Sequence, residues 1–385
     1  MQLTYPNKKS AEEILTLAEN YTLPINDCKL PVLFFGDNFR VLSYLLNNGF
    51  KNKIDLIYID PPYNTEQDFT LSFDRVSTIS RSKTDIVAYR DNWTINEYLE
   101  FMRERLILMR ELLSEQGSIY VHIDGKMGHY LKIIMDEVFG IENFKNDIAR
   151  IKSNPKNFSR KAFGNEKDMI LFYAKNAKKN IFNQITAPLT DDEKQTMFEK
   201  IDENGRRYNT VPVHAPGETL RGETGGLWRD MLPPKGRHWR CSPSELDELD
   251  RKGLIEWSKN GVPRIKKFAD EHKGKKIQDI WRYKDPMYPD YPTQKNSEML
   301  EMIIAQSSNP HSIVMDCFAG SGSFLKASSK LGRQWIGVDA SDVAIQIIQT
   351  QLEHLAYQFI DVNQQKSQVK EPNIKQPNEQ LTMAF

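Results

Sequence analysis

Cysteine is scarce. Cys28, Cys241 and Cys317 stand far apart in 385 residues, with neither the paired spacing of a zinc site nor the density of a disulfide scaffold. They read as ordinary thiols of a reducing compartment. Long apolar runs are missing, as is an apolar stretch behind a basic N-terminus, so the sequence argues against a bilayer span or a secretory leader and for a soluble, cytoplasmic protein. Net charge is missing too: 52 Lys and Arg balance 52 Asp and Glu. Attraction to a polyanion must therefore come from local clusters rather than from a whole-molecule field. No internal repeat is present, which excludes a solenoid. His122, His214 and His238 have no metal-ligand spacing, and no metal is expected.

What the chain does contain is alternation. Apolar runs at Pro31 to Phe35, Ile54 to Ile59, Ser118 to Ile123, Ser312 to Cys317 and Trp335 to Val338 suit buried parallel strands. Thr94-Ile95-Asn96-Glu97 is a capping box, followed by Tyr98, Phe101, Met102, Leu106, Met109, Leu112 and Leu113 at helical spacing, with Gly117 expected to stop the helix. A second helix is expected from Lys126 to Phe139, with Tyr130, Leu131, Ile134, Met135 and Val138 inward and Gly140 as terminator. From Phe144 to Tyr291 Gly, Pro, Trp, Arg and Lys crowd together and the alternation lapses, as in an inserted, loop-rich module. The last residues, from about Asp361, are rich in Gln, Asn, Lys and Pro and read as a flexible tail.

Two loops carry the chemistry. Asp60-Pro61-Pro62-Tyr63 follows the strand ending at Ile59, at the carboxyl end where open α/β sheets bind ligands. The prolines stiffen it and hold acceptors outward. A carboxylate and a carbonyl that each accept a hydrogen from an exocyclic amine favour a pyramidal, nucleophilic nitrogen. Tyr63 could stack on the base, which would have to be flipped out of a duplex to reach the loop. The bland alternative is a tight Pro-Pro turn.

The second loop is Asp316-Cys317-Phe318-Ala319-Gly320-Ser321-Gly322. Its glycines allow close backbone approach and a sharp entry into the next helix. The following strand ends in Asp339, placed to accept both hydroxyls of a ribose. A dinucleotide site is the competing reading, weakened because Leu325 stands where a third glycine belongs.

With both loops in view, the chain resembles the β-class amino-methyltransferases of DNA, in which the DPPY-type loop precedes the target-recognition module and the cofactor loop follows it. Tyr58 to Thr65, Ser118 to Asp124 and Met135 to Gly140 are similar to the modification (Mod) subunits of type III restriction systems. The resemblance covers about Pro31 to Leu355. It implies an α/β, Rossmann-like sheet of an S-adenosylmethionine-dependent methyltransferase, with permuted motif order and an inserted loop-rich target-recognition module. Asp60, Pro61, Pro62 and Tyr63 match the catalytic loop. Asp316, Phe318, Gly320 and Gly322 match the cofactor loop, and Asp339 the ribose-binding acid. Gly36 and Asp37 resemble the segment near the cofactor's adenine, with Asp60 itself beside the cofactor. Thr293 and Lys295 resemble the element closing over its methionine end, although Asn296 stands where the family usually has proline. Aspartate at position 60 implies N6-adenine; serine there would imply N4-cytosine, the alternative base.

The expected layout is an N-terminal helical extension (1–30), a catalytic half (31–145), a DNA target-recognition module (146–291), a cofactor-binding half (292–358) and a tail (359–385). Between Lys145 and Lys179 ten Lys or Arg face three Asp or Glu. Lys152, Lys156, Arg160 and Lys161 suit phosphate contacts with double-stranded DNA. Arg237 and Arg240, beside Trp239, suit base-edge readout. A solvated charged face is the bland alternative, and Trp228, Trp239 and Trp257 could instead build a small core. Partners expected are a second copy, a restriction subunit, and a bacterial sliding clamp bound by Gln380 to Phe385. Two further readings are methylation of RNA or a protein amide, disfavoured by loop order, and a methylation-silent DNA-binding subunit, disfavoured because both loops are intact.

Overall fold

Ile54–Ile59 is apolar at almost every position because both faces of the sheet around it are covered. The computed structural model describes residues 2–23, 25, 27–63, 69–71, 86–89, 93–152, 161–285, 294–364 and 366–370. Ten strands form the main sheet: β1 (Val32–Phe35), β2 (Ile54–Ile59), β3 (Leu113–Ile123), β4 (Phe144–Ile151), β5 (Lys167–Ala174), β6 (Ile280–Trp281), β7 (Ile313–Asp316), β8 (Gln334–Asp339), β9 (Tyr357–Asp361) and β10 (Lys366–Lys370). Their spatial order is β6-β4-β5-β3-β2-β7-β8-β1-β9-β10. From β3 to β9 in that order every pairing is parallel, whereas β5 on β3 and β10 on β9 are antiparallel.

Helices α1 (Ala11–Glu19), α2 (Asn38–Leu45), α3 (Ile95–Leu112) and α4 (Gly128–Phe139) pack together. Their core takes Ile57, Ile59, Ile119, Val121 and Met315 from the sheet. The alternate strand residues meet the second helical layer: Tyr120 bonds Ser307 of α5 (Ser297–Ser307), and Tyr58 stacks on Phe324 of α6 (Ser323–Lys330). Helix α7 (Asp342–Gln351) follows β8. This is the Rossmann-like α/β architecture expected.

Several boundaries differ from the expectation. The capping box at Thr94 forms, with the Glu97 N–H donating to Thr94 Oγ1, but α3 ends at Leu112 because Leu113 is already extended and opens β3. Gly117 does not stop the helix; it lies in β3, where a Cβ would come within 2.7 Å of the Ile54 carbonyl oxygen. On α4 the buried stripe is Leu131, Ile134, Met135 and Phe139. Tyr130 falls to the side of that stripe and is exposed.

The inserted unit is shorter than 146–291. β4 and β5 form an antiparallel hairpin against β3, driven by the buried run Met169 to Ala174, and so belong to the main sheet. The second compact unit is 185–277. It holds an antiparallel sheet of Lys200–Ile201, Arg207–Pro212, Pro263–Phe268 and Ile255–Trp257, a hairpin of His214–Pro216 with Arg237–Trp239, and helix Pro243–Arg251. Its core is Val213, Trp228, Trp239, Leu246, Ile255 and Ile265. Nor does a tail begin at 359: β9 and β10 extend the main sheet, because Tyr357, Ile360 and Val362 are buried. Gln380 to Phe385, the segment expected to dock on a sliding clamp, lie outside the described residues. Among the described residues no helix is long and apolar enough to cross a membrane.

Candidate active site

Because β2, β7, β8 and β1 are parallel neighbours, their carboxyl ends deliver Asp60, Asp316, Asp339 and Asp37 to one edge of the sheet. All four line a cavity of about 400 Å³, together with Pro61, Pro62, Tyr63, Lys295, Phe318 and Gly320. Residues separated by more than half the chain thus share one wall.

Asp60 is doubly held. Tyr63 donates its hydroxyl to Asp60 Oδ1 at 2.6 Å, and the Lys295 ammonium lies 2.5 Å from Oδ2, with side-chain exposures of only 9% and 15% for Lys295 and Asp60. Lys295 also sits 5.6 Å from the centre of the Tyr63 ring. Burial and the Asp60 charge push the Tyr63 phenol well above its usual range, so it stays a donor. A carboxylate offers about four lone-pair positions; each Asp60 oxygen can therefore accept one more hydrogen bond. Lys295, expected over the end of a cofactor, lies in the cavity wall with its ammonium against the Asp60 carboxylate. Asn296, at the position where the family usually has proline, caps α5 through the Met299 N–H and donates to the Lys284 carbonyl.

The glycine loop is shaped for close approach. Gly320 and Gly322 have φ of 52° and 77°, in the left-handed region, and a Cβ on Gly322 would meet Ile348 Cγ1 at 3.0 Å. Asp339 accepts from the Gly320 N–H at 2.8 Å and from the Ser341 N–H at 2.9 Å. Burial outweighs these bonds and pushes its carboxyl up to about 6. Asp316 accepts from the Phe318 N–H at 2.9 Å; its burial, with the charges of Asp60 and Asp339, drives it well above the usual carboxylate range. Asp60, Asp316 and Asp339, set against the single Lys295 ammonium, favour a cationic guest with hydroxyl donors. Gly36 is tied to this corner by its N–H to the Asp339 carbonyl at 2.9 Å.

Asp37 caps α2 through the Arg40 N–H and accepts from Arg105 at 3.0 Å. Arg105 is buried, bonds Asn38, and stacks on the Phe101 ring at 3.6 Å. Asn38 in turn donates to the Cys317 carbonyl. Trp93 stacks on Phe101 at 5.0 Å and Phe101 meets Phe318 edge-on, completing an aromatic wall. Sequence reasoning missed Trp93, Asn38, Arg105 and Ser341 as site residues. The one available signal was Trp93 directly before the capping box.

The DNA-binding candidates fall in different places. β4 ends and β5 begins at the edge that carries Asp60, and Lys152 directly follows β4 there. Lys152 is paired with Asp168 at 2.6 Å and Lys161 is exposed. Lys156, Arg160 and Thr293 lie outside the described residues. Arg237 and Arg240 are exposed on the second unit, flanking the buried Trp239. Trp228 and Trp239 build that unit's core, meeting edge-on at 5.8 Å; Trp257 stacks on Trp228 but stays partly exposed.

The chain is 41% identical to "Type II methyltransferase M.EcaI" of Enterobacter cloacae, over 88% of this chain and 75% of that one. It is 27% identical to the "Type III restriction-modification enzyme StyLTI Mod subunit" of Salmonella typhimurium, over 86% of this chain, and spans 55% of that relative's length. Among solved structures it is similar to the M1.HpyAVI–SAM complex, with 17% identity, a TM-score of 0.42, and coverage of 83% of this chain and 100% of the other. A family model described as DNA methylase (N6_N4_Mtase) matches residues 54–350, from the strand that carries Asp60 to the helix after Asp339. The chain belongs to this family of DNA methylases.

Proposed function

We propose that this DNA methyltransferase moves a methyl group from S-adenosylmethionine to N6 of an adenine flipped out of double-stranded DNA at a specific sequence. One observation carries the reading: Asp60, the first residue of the DPPY loop, opens onto the same cavity as Asp316, Gly320 and Asp339. The cofactor supplies an electrophilic methyl group. Asp339 would hold its ribose, Asp316 its ammonium, and Phe318 with the adjoining aromatic wall its adenine. Asp60 would accept an N–H of the target amine, making its nitrogen a better nucleophile, and would draw off the proton that this nitrogen must shed once it is methylated. Tyr63 and Lys295 fix the Asp60 carboxylate in that task, and the Tyr63 ring provides the surface for the extruded base. Aspartate rather than serine at position 60 supports adenine over cytosine. Lys152, Lys156, Arg160 and Lys161 would contact phosphates, while Arg237 and Arg240 of the second unit would read base edges. A role in restriction–modification follows from the likeness to M.EcaI and the StyLTI Mod subunit.

The test is incubation with S-adenosylmethionine and unmethylated genomic DNA, followed by modification-sensitive sequencing. N6-methyladenine at one recurring sequence, lost in Asp60→Ala, is the expected outcome. N4-methylcytosine would replace the base assignment, and equal turnover by Asp60→Ala would remove Asp60 from the reaction.

A further inference from the structure

His122 lies on β3 with no exposed surface, a costly place for an imidazole unless both ring nitrogens are bonded. Both are: Nδ1 is 2.9 Å from the Tyr58 hydroxyl and Nε2 is 3.3 Å from Asp168 Oδ2. Asp168, 3% exposed, also receives Lys152 Nζ at 2.6 Å and has Arg150 Nη1 at 3.6 Å. Arg150 is fully buried, donates to the Tyr283 carbonyl at 2.9 Å, and pairs with Asp285 through both of its terminal nitrogens.

The direction of this chain can be worked out. Burial alone would raise the Asp168 carboxyl, but the His122 bond and the Lys152 ammonium outweigh it and hold Asp168 ionised. Burial pushes His122 down, so its ring is neutral. A carboxylate only accepts, which puts the ring proton on Nε2 and makes Nδ1 the acceptor of the Tyr58 hydroxyl.

The imidazole touches the catalytic loop on both sides of Asp60. Tyr58 precedes Asp60 by two residues and lies parallel to Phe324, in the first turn of the helix that leaves the glycine loop, at 5.5 Å. Tyr63, which holds Asp60 Oδ1, has its ring 6.5 Å from that of His122, tilted by 35°. One orientable ring therefore sets the spacing between the loop that receives the base and the helix that follows the cofactor loop. A well-packed apolar substitute would be about as stable as such a buried charged network, so what the network adds over an apolar core is a fixed orientation of the ring.

We propose that Asp168, His122 and Tyr58 are positioning residues that hold the Asp60 loop in register with the cofactor loop, so that their loss slows methyl transfer without weakening either ligand. The inference rests on the methyl transfer proposed above. Displacement of a reacting group by about 1 Å costs on the order of a hundredfold in rate, and a fraction of that is expected from one missing hydroxyl.

Tyr58→Phe removes only that oxygen and keeps the stack on Phe324. Its kcat on the methylated sequence should fall about tenfold, with the KM for DNA and the cofactor Kd changed less than twofold. His122→Phe should lose more, and His122→Gln, whose amide can accept from Tyr58 and donate to Asp168, should recover part of that loss. Unchanged kcat in Tyr58→Phe would overturn the proposal. So would a kcat loss matched by an equal loss of cofactor affinity, or His122→Gln no better than His122→Phe. Nitrogen NMR of labelled histidine supplies a readout without turnover: His122 should appear neutral with its proton on Nε2, and Tyr58→Phe should move the Nδ1 signal. A proton on Nδ1 would end the proposal even if the wild-type protein methylates DNA. Absence of methylation by wild type would end the functional reading instead, leaving the spectrum to decide the network.

Discussion

If Asp339 holds the ribose as proposed, cofactor affinity should depend on pH. Its carboxyl is pushed up to about 6 by burial, against the N–H bonds from Ser341 and Gly320. Ribose hydroxyls donate best to a carboxylate, so the ionised form is the competent one. With a midpoint of about 6, roughly nine-tenths of the empty protein is competent at pH 7 and roughly one-tenth at pH 5. Apparent affinity scales with that fraction, which gives about a tenfold weaker Kd at pH 5. Calorimetric titration with S-adenosylhomocysteine between pH 5 and 8 measures it directly. Asp339→Asn should flatten this slope and weaken binding at pH 7 by roughly ten- to a hundredfold, the equivalent of about 1.5–3 kcal/mol for a hydrogen bond to a charged group. The effect on the empty fold has the opposite sign. A carboxyl raised from 3.8 to about 6 keeps its proton in the fold across that interval, so its contribution to stability is lost as pH rises through it. Equal affinity at pH 5 and 7, with circular dichroism showing an intact fold at both, would refute the assignment of Asp339 to the ribose.

Lys295→Met leaves a half-buried Asp60 without its ammonium, and kcat should drop at least tenfold with DNA binding retained in gel shifts; faster turnover would make the pair a brake instead of a support. Gly322→Val must take a φ of 77° that costs about 1–2 kcal/mol and press a methyl group toward Ile348. A lower melting temperature and weaker cofactor binding should appear together, and unchanged calorimetry would argue against the cradle. Trp239→Ala empties the second unit's core at about 3–5 kcal/mol. It should abolish sequence-specific DNA binding while cofactor binding persists; loss of both would show that the units do not fold separately.

The parallel strands could be read from the sequence because each is a short apolar run that ends in a chemically unusual loop: Ile59 before Asp60, Met315 before Asp316, Val338 before Asp339. Strands at the sheet's margins lacked that signature. β4 carries Lys145, Asn146 and Asp147 on its outer half, and β10 alternates Lys, Ser and Gln, so composition alone places one in the insert and the other in the tail. Gly117 misled because a glycine required by a close strand contact looks the same in sequence as one that ends a helix. Within the site, the carboxylates were legible from their loops. The partners that set their behaviour were not: Lys295 on Asp60, Arg105 on Asp37 and Asp168 on His122 are joined by folding, with nothing local to announce them.

The adjacency of β2 and β7 has a consequence for synthesis. Leu56 pairs with Val314 across a stretch that includes the whole second unit. A chain emerging from the ribosome holds Asp60 early and can pair β2 with β3, yet lacks β7, the neighbour that leads into the glycine loop, until residue 313 and beyond are released. Catalytic competence is therefore expected to arrive in one late step, when this distant contact closes, and truncated products should be silent rather than partly active. Closure entropy grows by only about 0.6 kcal/mol for each doubling of the intervening length. The second unit can thus lengthen or shrink at small thermodynamic cost to the closing of β2 on β7.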